Sequence, residues 1–164
     1  AMNSFTMKCL TELGYDYIMP SPELTGVQLA SIAEHSALAG RMLIGIHGRT
    51  PLMQLLHCPI KEHKGCQNCM GIAGAVTDEA GRVFPLVNIR YPDNCLVRML
   101  NCRTTDLIDL FDKIPQTAGY VLNFVGEQID EVTERIAAAN EAKNGKRQTQ
   151  YPNSTRGHWV RKVE

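Results

Sequence analysis

Apolar positions recur along this chain in two rhythms, broken by polar turns. Residues 41–48 (RMLIGIHG) and 119–125 (GYVLNFV) are short continuous apolar runs, which predicts buried strands. Residues 13–21 (LGYDYIMPS) read as a turn and a short strand bounded by Pro20 and Pro22. In residues 21–36 the spacing changes to helical, with Leu24, Val27, Leu29 and Ile32 on one stripe. Ser21 is placed as N-cap, Pro22 at the first helical position and Glu23 in the first turn. Strand, helix and strand in this order predict a β-α-β unit with parallel strands and a right-handed crossover. Two apolar runs flank Asp78-Glu79-Ala80-Gly81, a hairpin signal in which Gly81 can take a positive φ. Residues 104–114 are read as a helix capped by Thr105, with Leu107, Ile108, Leu110, Phe111 and Ile114 on one face. Residues 128–145 give the clearest helix, with Ile129, Val132, Ile136 and Ala139 aligned, Lys143 in the last turn and Gly145 as a stop.

Alternation of strands and helices argues an α/β layer fold. The strands are few, so the sheet is expected to expose edges and one core face unless further chain or a second copy covers them. No run approaches the ~18–20 apolar residues of a membrane span, and the N-terminus has no signal-peptide pattern. A cytoplasmic location is expected on that basis. Seventeen basic residues balance seventeen acidic ones, so no global field points to nucleic acid or membrane. The end of the chain is locally basic, with Lys143, Lys146, Arg147, Arg156, Arg161 and Lys162. It is read as a solvated tail over 146–164 that could touch phosphate, with Trp159 as an anchor or a stacking ring.

This expected compartment changes how the six cysteines are read, because clustered thiols in a reducing cytosol are more often ligands or catalysts than disulfides. Cys58, Cys66 and Cys69 are spaced C-x7-C-x2-C inside a polar loop, HCPIKEHKGCQNC. Gln67 and Asn68 suit the tight turn that lets two thiolates reach one metal, and Lys64 would depress the thiol pKa values. A hairpin that returns the chain to its origin would add Cys95 as the fourth ligand, with Cys102 as the alternative fourth ligand. Four thiolates suit zinc or an iron–sulfur cluster. His57 and His63 could replace a thiol or orient one, and Cys9 is read as core. Two weaker candidates lie elsewhere. Glu23 is expected at a strand-to-helix junction, and His47, Gly48 and Arg49 end the next strand. Arg49 could clamp an anionic substrate or pair with Glu23.

Several blocks taken in order, MNSFTMKCLTELGYDYIMPSPEL, IHGRTPLM, HCPIKEHKGCQNC, DEAGRVFPLV, CLVRMLN and STRGHWVRKVE, resemble the collagenase-like peptidase family, thirty-second of the unclassified peptidases. The resemblance implies the C-terminal half of a TIM-like (β/α)8 barrel over 1–145, with a cysteine-rich insertion at 57–102. The earlier barrel strands, or a second copy of the chain, would then be the partner, and this piece alone would be inactive. Some members of that family are reported to degrade collagen, which implies a peptide substrate and hydrolase activity. This chain shows no Ser-His-Asp triad pattern, no HExxH and no paired aspartates. Others are oxygen-independent hydroxylation proteins that hold a four-iron four-sulfur cluster on four cysteines and act on RNA or a quinone precursor. By matching blocks the resemblance assigns that ligand role to Cys58, Cys66, Cys69 and Cys95. The expectation is a four-iron four-sulfur protein with Glu23 and Arg49 near the substrate. The alternative is a peptidase in which the same cysteines hold a structural zinc.

Overall fold

The computed structural model describes residues 1–66, 69–91 and 95–160. The turn expected at Gln67-Asn68 and the basic residues Arg161 and Lys162 lie outside the described residues. Three helices open the chain: α1 (Ser4–Glu12), α2 (Gly26–Ala33) and α3 (Ser36–Ala39). Then come β1 (Leu43–Gly48), β2 (Pro51–Leu55), α4 (Pro59–Lys64), β3 (Gly71–Thr77), β4 (Val83–Arg90), β5 (Cys95–Leu100) and β6 (Thr105–Asp106). A 3₁₀ helix (Ile108–Lys113), β7 (Gly119–Leu122) and α5 (Ile129–Lys143) complete the order.

The strands form two sheets, one ordered β6-β1-β7 and one ordered β2-β5-β4-β3. This overturns the half barrel. A barrel half needs parallel strands joined by long helices, and among the described residues only β1 and β7 pair in parallel as full strands. The insertion forms its own antiparallel sheet, because the β3–β4 hairpin recruits β5, and β5 in turn pairs with β2. The helices are also short. α2 spans eight residues, and the expected helix at 104–114 survives only as six residues of 3₁₀ turn. Its expected cap, Thr105, is instead drawn into β6 beside β1, while Pro115 forces Ile114 to an extended conformation (φ −81°, ψ 130°). The strand expected at 13–21 is reduced to one parallel bridge, Ile18 to Met42.

Local chemistry accounts for the helices that form. α1 is capped by Asn3, whose Oδ1 accepts from the Thr6 amide at 2.8 Å. α2 starts later than the Ser-Pro-Glu signal suggests, since Thr25 and Gln28 make a reciprocal capping box and the preceding residues are turn. In α5 the buried residues are Ala138, Ala139 and Ala142, whereas Ile129 and Ile136 are exposed. The small residues let the helix lie close to the 3₁₀ segment, so the contact surface is rotated away from the larger apolar side chains.

The main core joins both ends of the chain. Met7, Met42, Ile46 and Ile108 are its fully enclosed side chains, each worth about 1.5–3 kcal/mol in apolar burial. The segment after α5 docks on this core. The Thr155 amide donates to the Thr104 carbonyl at 2.8 Å, and the Asp106 amide donates to the Thr155 carbonyl at 3.0 Å. Trp159 joins the core margin and lies so close to Gly26 that a Cβ there would fall 2.7 Å from the indole. The basic tail is therefore partly paired. Lys146 meets Glu141 at 2.8 Å, and both Nη atoms of Arg156 engage the Asp109 carboxylate. Among the described residues, no helix is long and apolar enough to cross a membrane.

Candidate functional site

Cys69 and Cys95 lie at one end of the second sheet. Cys95 opens β5 and pairs with Arg90 near the end of β4, while Asn88 pairs with both Val97 and Gly71. Opposed residues in an antiparallel pair share a face, as do alternate residues along a strand. Cys95, Val97, Asn88 and Leu86 therefore point to the same side. Gly74 pairs with Leu86, and a Cβ there would meet Ile60 of α4 at 3.4 Å, so α4 covers this face too. Cys58 directly precedes α4, and Cys66 follows Gly65, whose φ of 75° turns the chain at the helix end. Cys69 leads into β3, and its thiol and carbonyl both receive the Asn88 side-chain amide, at 3.4 Å and 2.9 Å. Thus Cys69 and Cys95 lie at one end of the sheet, and Cys58 and Cys66 lie at the two ends of α4, which packs on the same face.

Sharing a face is not yet ligation. Among the described residues, no three His, Cys, Asp or Glu side chains stand together closely enough to hold a metal ion. Cys66 is exposed, while Cys58, Cys69 and Cys95 are half-buried. His57 Nε2 contacts the Glu62 carboxylate at 3.1 Å on the surface, and His63 is exposed on α4. By chemistry the four thiols suit a thiophilic metal or cluster. Asn88 went unnoticed in the sequence. It is 5% exposed, its Oδ1 has no hydrogen-bond partner among the described residues, and the strand register sets it beside a cysteine.

Cys102 lies at the other end of β5, where its thiol faces the Asn101 side-chain oxygen at 3.5 Å. Six residue steps separate Cys95 from Asn101, roughly 20 Å of extended chain. Arg49 is at this far end as well. Its Nη1 donates to the Asn101 carbonyl at 2.9 Å and the Cys102 carbonyl at 2.7 Å. The structure therefore places Arg49 at the opposite end of β5 from Cys95. Glu23 is exposed in the turn before α2, and among the described residues it forms no ion pair with Arg49, whose hydrogen-bond partners are carbonyls. Cys9 is half-buried on α1.

Arg49 borders a cleft of about 460 Å³ at the end of β1. Trp159, His158, Asn123, Leu24 and Leu52 contribute to its walls. Gly48 shapes the entrance. Its φ is 137°, and a Cβ would fall 2.5 Å from the Asn123 carbonyl oxygen, so β1 and the segment after β7 approach as only glycine permits. At the cleft wall, His47 Nδ1 lies 2.7 Å from Asp106 Oδ2, with both side chains almost fully buried. Phe124 and Tyr151 pack their rings against the imidazole. Burial keeps the Tyr151 phenol above its ordinary pKa, and the charge of Glu131 adds to the effect. Asp106 carried no signal in the sequence, because its apolar neighbours read as one helical face. Comparison with protein-family models, curated proteins and solved structures finds no match.

Proposed function

We propose that Cys58, Cys66, Cys69 and Cys95 form one thiolate site for a four-iron four-sulfur cluster. On this reading the protein is a redox enzyme of the oxygen-independent hydroxylating kind, acting on RNA or a quinone precursor. The observation that supports the site is the register of β3, β4 and β5, which puts Cys95 at the same sheet end as Cys69, with Cys58 and Cys66 at the two ends of the neighbouring α4. The chemical class rests on the resemblance of the sequence blocks. A bound cluster would supply one-electron transfer. Around it, the Asn88 amide would donate to the Cys69 sulfur and hold that ligand in place.

One observation favours a second reading. The cysteine end lies roughly 20 Å along β5 from the Arg49 cleft, a separation that suits a metal serving shape alone. In that case the four thiolates hold a structural zinc in a peptidase.

Anaerobic purification, followed by metal analysis and an absorbance spectrum, separates the two. A cluster gives broad absorbance near ~400 nm and roughly four irons per chain. The structural reading gives about one zinc and no colour. A protein that binds neither metal, and whose stability ignores serine replacement of all four cysteines, refutes both.

A further inference from the structure

We propose that the cleft at the end of β1 is a binding site for a small organic carboxylate with a flat apolar body, held through Arg49. This goes beyond the cysteine reading and does not depend on it. The two anchor carbonyls, Asn101 and Cys102, take both hydrogens of Arg49 Nη1. Among the described residues no partner takes the Nε and Nη2 hydrogens. They lie along one edge of the guanidinium, the fork whose geometry matches two carboxylate oxygens. No carboxylate of the protein pairs with Arg49 among the described residues, whereas the other arginine at this cleft, Arg156, is neutralised by Asp109.

The surroundings select the rest of the ligand. None of the described residues lining the cleft is Asp or Glu, so the guanidinium charge is uncompensated there. Arg49 also borders a second hollow, but Glu127 and Glu131 line that one and make it a poor place for an anion. The carboxylate cleft is walled by Trp159, Leu24, Leu52 and Val121, with Asn123 and His158 as further polar groups. A volume of about 460 Å³ lies within the small-molecule range and is too small for a folded peptide or a nucleic-acid strand. A planar ring would lie against the indole and the leucines while its carboxylate met the Arg49 fork.

Trp159 is the sole tryptophan, so its emission reports the cleft directly. The test titrates the purified chain with benzoate, with neutral benzamide of the same shape, and with phenyl phosphate. Saturable change in emission with benzoate, and about tenfold or more weaker response to benzamide, is expected from loss of a charge-assisted pair. Arg49→Lys keeps the charge but not the fork and should weaken benzoate binding, and Arg49→Met should weaken it further. Far-UV circular dichroism establishes that each variant is folded. If a variant does not fold, the benzoate–benzamide contrast on the unaltered protein decides alone. Equal response to benzoate and benzamide, no response to benzoate, or a folded Arg49→Met that binds as before overturns the proposal. Phenyl phosphate bound tenfold more tightly than benzoate also overturns it, in favour of a phosphate site. Because the titration is read with or without metal, its failure leaves the cysteine reading standing, and the reverse holds too.

Discussion

Asp106→Ala removes two acceptors from a place without water. Asp106 is fully buried; its Oδ2 is paired with His47 Nδ1 at 2.7 Å and its Oδ1 accepts from the Ile108 amide at 3.3 Å. Each donor left unsatisfied costs about 1–3 kcal/mol, so losing both is expected to cost about 2–6 kcal/mol in all. A domain of ordinary stability has only about 5–15 kcal/mol to lose. Urea unfolding followed by circular dichroism measures this directly. With a slope of about 1–3 kcal/mol per molar urea, a 3 kcal/mol loss lowers the midpoint by about 1–3 M. Asp106→Asn should cost less. Its amide oxygen can still accept from Ile108, and its NH2 can donate to a neutral imidazole protonated at Nε2. A midpoint for Asp106→Ala within about 0.3 M of the unaltered protein, at the same slope, refutes the claim that this pair ties β1 to β6.

Gly48→Ala should lose about 2–5 kcal/mol, combining a positive φ with a Cβ placed 2.5 Å from the Asn123 carbonyl; a thermal melt unchanged from the parent contradicts the close approach. Gly26→Ala should drive the indole from its seat and red-shift the emission of Trp159, and an unmoved spectrum shows that the tail does not dock there. Tyr151 gives a pH signature. Its folded-state pKa is raised, so the native state resists ionisation, and its contribution is intact below the ordinary phenol value of about 10 and lost as pH rises past it. Urea midpoints at pH 9 and 11 should show a smaller alkaline loss in Tyr151→Phe than in the parent; equal losses remove the phenol from the account.

What the sequence determined by itself was local. The hairpin at Asp78–Gly81 was legible because its chemistry is contained in the turn: Gly81 takes a φ of 76°, and the Asp78 carboxylate accepts from the amides of Ala80 and Arg82. The Arg82 contacts hold that carboxylate below its ordinary pKa. Strands β1 and β7 and helix α5 were likewise legible from periodicity and end signals. The tertiary structure decided where those pieces went. Strand register put Asn88 beside Cys69 and placed Cys95 and Cys102 at opposite ends of β5, a separation that spacing along the chain cannot express. Pairing with β1 drew Thr105 out of its expected helix cap. The tail had no periodicity to read, yet backbone bonds to Thr104 and Gly26 seat it at the cleft. The physical divide is range: a turn or a cap is made by residues a few positions apart, whereas register, burial of Asp106 and the walls around Arg49 arise from segments tens of residues apart, whose pairing depends on the whole fold.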